Sequence, residues 1–176
     1  MNKRGFTLIE LLVVIVILGI LITLGSKGLR AARLSAKKAQ ARVEASSIET
    51  AVKAYVNRYG QLPLAEFNED LTFALSDDSK SDSVSEALIS TLTLAAGAED
   101  ELNAARVVFL EPQLGGVDGT FRDPWGYQYR VALDTDYDGQ LLIEGETIRR
   151  KVAVASIGLY VENGGSDTND LVATWR

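Results

Sequence analysis

Lys3-Arg4-Gly5-Phe6-Thr7-Leu8-Ile9-Glu10, followed by fourteen uncharged residues from Leu11 to Leu24, decides how the rest of this chain is read. From Phe6 to Gly25 twenty residues carry a single charge. At about 1.5 Å per residue that is enough helix to cross a hydrocarbon core of roughly 30 Å. The one carboxylate, Glu10, falls near an end of the span. An ionised side chain well inside lipid costs on the order of 2.5 to 3.5 kcal/mol, so such a group is expected to have a partner. The plainer readings are that Glu10 snorkels to the interface or favours the positive end of the helix.

The eight residues Gly5-Phe6-Thr7-Leu8-Ile9-Glu10-Leu11-Leu12 resemble the processing motif of type IV pilins and type II secretion pseudopilins, without a departure. The resemblance implies cleavage between Gly5 and Phe6 by a prepilin peptidase, N-methylation of Phe6, and polymerisation into a filament. Gly5 and Phe6 are then the processing residues, and Glu10 and Phe6 the assembly residues. Cleavage creates a positively charged amine on Phe6 of each subunit. A neighbour's amine can pair with Glu10 in a low-dielectric setting, where the attraction is far stronger than in water.

Two other N-termini are weighed against this one. A secretory signal has a shorter apolar region and a small-residue cleavage site beyond it; here the run leads into Ser26-Lys27-Gly28-Leu29-Arg30, which offers none. An uncleaved signal anchor is the stronger rival. Orientation is a point of conflict. Lys27, Arg30, Arg33, Lys37, Lys38 and Arg42 follow the span and only Lys3 and Arg4 precede it, so charge counting alone puts the C-terminal side in the cytoplasm. The pilin-like signal implies the opposite side, and that is the expectation adopted. The basic run is expected to meet lipid headgroups before assembly and acidic neighbours afterwards, or to be simply a solvated face.

The chain has 176 residues, and about 150 remain beyond the anchor, a normal size for one domain with its own core. It contains no Cys and no His, which excludes cysteine nucleophiles, a Ser-His-Asp triad and the usual zinc sites. Without disulfides, another device must fix the loops of an exported domain. The net charge of −6, or −8 on side chains without Lys3 and Arg4, is concentrated beyond residue 60 and argues against nucleic-acid binding.

No proline occurs before Pro63, so the span is expected to continue as one helix to Tyr59, with Gly60 as its stop. Gly19, Gly25 and Gly28 either allow local melting or permit close helix packing. Leu29, Ala32, Ala36, Ala39, Val43, Ile48, Ala51 and Tyr55 recur at helical spacing as a buried face. Residues 66–82 read as a polar acidic loop. A second helix is expected from Ser83, with Ser83-Val84-Ser85-Glu86 as a capping box and Gly97 as a stop. Strands are expected at 106–110, 128–133, 141–144 and 151–159, forming a small antiparallel sheet on the long helix.

Within this half, Arg122-Asp123-Pro124-Trp125-Gly126-Tyr127-Gln128-Tyr129 resembles an element of the major pseudopilin of type II secretion systems. Read by itself, that turn is structural: proline sets it, glycine relieves it and Trp125 fills core. The tail from Ser156-Ile157-Gly158 to Asp167-Thr168-Asn169-Asp170-Leu171 and Trp175 is similar to the same family's closing segment, which implies a calcium-binding loop. Asp167, Asn169 and Asp170 supply oxygen ligands of the kind calcium takes, with Glu162 or Asn163 closing the site. The resemblance adds the backbone carbonyl of Ile157. The sequence departs from the family at Tyr160, where an aspartate is usual, and at Asn169, which replaces an acid. A weaker metal candidate is Asp134-Thr135-Asp136-Tyr137-Asp138-Gly139, the first half of an EF-hand loop. Its bidentate glutamate position falls on Gly145, so an acidic hairpin loop explains it as well.

The expected fold is α+β: a long N-terminal helix, transmembrane in its first half, packed on a small antiparallel sheet, with an intervening helix and a C-terminal calcium-type loop. The segments are a leader (1–5), an assembly helix (6–25), the soluble half of the helix (26–59), a variable region (60–120) and the sheet with its C-terminal loop (121–176). The expected function is a non-enzymatic structural subunit of a type II secretion pseudopilus. Its partners are further copies of itself in a helical homopolymer, prepilin peptidase, the inner-membrane platform and minor pseudopilins. It is anchored by a single pass in the bacterial inner membrane with its domain in the periplasm. A type IV pilin and a non-polymerising calcium-binding anchor are the alternatives.

Overall fold

The computed structural model describes residues 6–64, 72–73, 83–95, 101–111, 121–165 and 167–176, with only the backbone of 23–27 and of 83. The elements run α1 (Leu8–Tyr59), α2 (Ser83–Thr93), β1 (Arg130–Leu133), β2 (Leu141–Ile143), β3 (Glu146–Ile148), β4 (Val152–Ser156), α3 (Gly158–Glu162), a 3-10 turn (Thr168–Asp170) and β5 (Val172–Ala173). The fold is α+β, with a long N-terminal helix and a small antiparallel sheet. The chain divides into two compact units, Met1–Lys37 and Lys38–Arg176. Helix α1 contributes to both.

In the first unit α1 runs unbroken through Gly19 and Gly28, and its side chains from Leu8 to Ile22 are exposed. Among the described residues no helix is long and apolar enough to cross a membrane. The expected span, 6–25, extends beyond the side chains described.

In the second unit α1 buries Ala41, Ala45, Ile48, Val52 and Tyr55, at steps of four and three residues. Ile48, Ala51 and Tyr55 lie on the face expected from sequence. The earlier part of that face is different: Leu29 is 53% and Val43 67% exposed, and the buried stripe begins at Ala41 instead. Small residues at 41 and 45 let Tyr129 approach the helix closely, and its hydroxyl donates to Glu44 Oε2 at 2.6 Å.

β4 is the middle strand of the order β1-β4-β5, with Val131 opposite Val154 and Ser156 opposite Val172. All residues of β1 and β4 are buried, because both faces of the sheet are covered. Val131, Leu133, Val152 and Val154 pack with α1 and with Leu88, Ile89 and Leu92 of α2. Ala132 and Ala153, pointing the other way, meet Leu141, Ile143 and Ile148 of the β2–β3 hairpin. That hairpin turns on Glu144 and Gly145, both at positive φ, as a two-residue primed turn requires. Ser85 of α2 accepts a hydrogen bond from the Val131 amide at 3.2 Å, on β1.

The Asp123-Pro124-Trp125-Gly126 turn locks the sheet to α3. Asp123 is buried, and its Oδ1 accepts from the amides of Trp125 and Tyr127 at 3.0 and 2.9 Å. Its Oδ2 accepts from Ser156 Oγ at 2.6 Å and from the Gly158 amide at 3.0 Å. Gly158 has no room for a side chain: a Cβ there would lie 2.5 Å from Trp125 Cβ and 2.6 Å from Asp123 Oδ2.

The expected strand at 106–110 is absent. Asn103 is buried, and its amide both donates to Val107 O and accepts from the Val107 amide. The amides of Phe109 and Leu110 then donate to Leu92 O, so this segment completes the end of α2 instead of a sheet. The expected strand 151–159 stops at Ser156, where the Asp123 carboxylate draws the backbone into α3. α2 ends at Thr93, with Leu94 at positive φ; the expected stop at Gly97 and most of the acidic loop 66–82 lie outside the described residues. β3 and β5 were not anticipated, being only three and two residues long.

Two consequences are measurable. Gly158→Ala is expected to lower unfolding stability by about 3 kcal/mol in urea titrations, through overpacking against Trp125 and Asp123; a loss under about 1 kcal/mol would show that the turn yields. Burial, with the Glu44 hydrogen bond and the charges of Glu44 and Asp123, pushes the Tyr129 phenol far above its ordinary value of 10. The native state therefore favours neutral Tyr129, and its contribution is intact below about pH 10 and lost above it at roughly 1.4 kcal/mol per pH unit. Tyr129→Phe should flatten the fall in urea midpoint between about pH 10 and pH 11.

Candidate functional site

Glu10 lies in the first turn of α1. Its Oε2 accepts from the Thr7 amide at 2.9 Å and the Thr7 hydroxyl at 2.7 Å, while the Glu10 amide donates back to Thr7 Oγ1 at 3.3 Å. This is a capping box, Thr-x-x-Glu, satisfying helix-end donors reciprocally. Thr7 is thus a functional residue beyond those expected from the motif, and the Thr-x-x-Glu spacing is the signal that identifies it. Phe6 is 75% exposed beside it, and Gly5 lies outside the described residues. Leu8 to Ile22 then present apolar side chains on every side of the helix, interrupted only by Glu10 and Gly19. A helix apolar all round belongs in lipid or in a bundle of other helices.

Arg30, Arg33, Lys37 and Arg42 are exposed further along the same helix, and Lys38 is half-buried. Lys38 is tied to the C-terminal loop by its Nζ, 3.4 Å from Asp170 Oδ1.

Of the two candidate metal loops, the one ranked lower from sequence brings three carboxylates together. Asp134, Asp136 and Asp138 each offer an oxygen within 4.8 Å of the others. Two ligands at about 2.4 Å from one calcium ion are separated by at most about 4.8 Å, so this set fits the ion's span. Asp134 is buried at the end of β1, and its Oδ2 accepts from the Gly139 amide at 3.0 Å. Asp136 accepts from the Asp138 amide and Asp138 from the Gln140 amide, at 3.0 and 2.7 Å. Tyr137 and Gly139, both at positive φ, bend the loop so that alternate side chains converge. Position 145, where an EF-hand has its glutamate, is in the turn of the β2–β3 hairpin. Next to this loop a cleft of about 410 Å³ is lined by Glu49, Lys53, Val56, Leu62 and Arg150, with Glu49 bridging Lys53 at 2.5 Å and Arg150 at 3.3 Å.

At the C-terminal loop the predicted ligands are disposed differently. Asp167 caps the 3-10 turn, its Oδ1 accepting from the Asn169 amide at 2.9 Å. Asp170 Oδ2 accepts from Asn163 Nδ2 at 2.6 Å. The Asn163 hydrogen bond and Lys38 hold the Asp170 carboxyl below the usual carboxylate range. The Ile157 carbonyl accepts from the Val161 amide at 2.9 Å within α3. Glu162 and Asn169 are exposed. Tyr160 packs with Ile157, Leu171 and Ala173, and its ring lies over Gly165.

No curated protein and no solved structure matches the chain. The family described as "Prokaryotic N-terminal methylation motif" matches residues 1–26, the segment that holds Gly5, Phe6 and the Thr7–Glu10 capping box. The match supports a type IV pilin-like chain, processed by prepilin peptidase and methylated, that serves as a polymerising structural subunit and not as an enzyme.

Proposed function

We propose that this protein is a structural subunit of a type II secretion pseudopilus, similar to its major pseudopilin. Cleavage between Gly5 and Phe6 and methylation of Phe6 prepare α1 for polymerisation in the periplasm, from an inner-membrane pool, on the secretion platform and with minor pseudopilins. The observation that carries this reading is the methylation motif over residues 1–26, followed by a helix whose apolar residues are exposed on all sides. Glu10, already held by Thr7, pairs with the Phe6 amine of a neighbouring copy and sets its register. The resemblance of residues 122–129 and 156–175 favours the pseudopilus over a type IV pilus for adhesion, motility or DNA uptake. Comparing culture supernatants of wild-type, deletion and Glu10→Gln strains tests it. Loss of exported enzymes in both mutants, with surface fibres intact, is the expected result; normal export with missing fibres assigns the subunit to a pilus, and a fully functional Glu10→Gln strain points to a non-polymerising anchor.

Calcium is part of the same proposal, and its oxygen donors are best disposed at Asp134, Asp136 and Asp138. The ion would add to the domain the cross-link that a cysteine-free chain lacks. Saturating calcium, at about 100 times its Kd, is expected to stabilise the full-length protein in detergent by about 2.7 kcal/mol. Asp134→Asn with Asp138→Asn should abolish that shift. An equal response in the double variant rules this loop out.

A further inference from the structure

The resemblance implies calcium at the C-terminal loop, and the loop's own donors argue against that ion there. Asp170, its most enclosed acid, has both oxygens engaged within the protein: Oδ2 by Asn163 at 2.6 Å and Oδ1 by the Lys38 ammonium at 3.4 Å. The Thr168 carbonyl, at the start of the 3-10 turn, accepts from Arg176 Nη1 at 2.8 Å. Two cationic side chains thus approach the loop's oxygens, one from α1 and one from beyond β5. A calcium ion bound to Asp170 Oδ1 at about 2.4 Å would lie no more than about 6 Å from the Lys38 charge. Like charges that close oppose each other strongly even near a surface. The remaining ligands are also turned to other uses. Asp167 caps the turn through Oδ1, Asn169 is neutral, and Tyr160, where an acid would be needed, packs on Gly165 and in the cluster of Ile157, Leu171 and Ala173.

We propose that Lys38 and Arg176 close this loop as internal cations, with Tyr160 as its apolar pad, so that its order is independent of any metal ion. Lys38 is the first residue of the second unit. Its bond to Asp170 therefore ties the C-terminal segment to α1 where the helix enters the folded unit. Because Lys38 and Asp170 are 36% and 21% exposed, the effect is local to the loop and small compared with global stability.

Hydrogen exchange of the full-length protein in detergent, followed on peptides covering residues 163–171, tests the proposal at the loop itself. A cation at Asp134 leaves that readout unmoved. The expected result is equal exchange in excess calcium and in excess EGTA for the wild type, and exchange faster by roughly three- to fivefold in Lys38→Met under both conditions. Lys38→Arg should restore protection. Asp170→Asn should match Lys38→Met, and the double variant should be no worse than either single one, as for two members of one interaction. Faster wild-type exchange in EGTA, or unchanged exchange in Lys38→Met, would overturn it.

Discussion

A single buried carboxylate organises the C-terminal half. Asp123 receives four donors, two from its own turn and two from the Ser156–Gly158 junction, so one side chain fixes both the entry to β1 and the exit from β4. A buried charge is tolerated when hydrogen bonds replace its hydration, and removing them would leave a costly unpaired group. Two backbone segments more than thirty residues apart are thereby held in one geometry. In a chain without cysteine, this turn does what a disulfide would do, with the tight fit at Gly158 as its steric counterpart.

Around that junction the packing follows from strand periodicity. Alternate residues of β1 and β4 face α1 and α2 on one side and the β2–β3 hairpin on the other. A two-faced core explains why Val131–Leu133 and Val152–Ala155 read as continuous apolar runs with little alternation. It also gives the helix a defined role: only the stretch from Ala41 onward contributes to the core, while residues 8–37 belong to the other unit.

The long helix, its stop after Tyr59, the second helix from Ser83 and the α+β class were legible because each rests on long-range periodicity or on a strong stop. β3 and β5 were not, since Glu146-Thr147-Ile148 has one buried residue and two residues of β5 carry no pattern. The segment 106–110 was misread because its β-branched and aromatic residues suggested a strand, while the deciding group, Asn103, lies outside the run and acts through its side chain. The phase error on α1 arose from giving Val43 weight as an apolar residue; alanines at 41 and 45 were the true contact, chosen for closeness and not for bulk. At the N-terminus the motif residues are plain in the sequence, and the Thr7–Glu10 capping box is legible from the Thr-x-x-Glu spacing alone. Of the two acidic loops, the family resemblance favours the later one, whereas convergence depends on backbone turns at Tyr137 and Gly139 that the resemblance does not report.

The form of the sheet's margins has a consequence for how copies of the domain can meet. On β1 the Val131 amide already donates to Ser85, and on the other side β5 is only two residues long. Exposed strand edges are templates for adding foreign strands, and short or covered edges blunt that tendency. The described sheet therefore offers little purchase for strand-by-strand aggregation, even when many copies are crowded together. Ordered association is left to helix surfaces, where contacts can be made and broken without unfolding the domain.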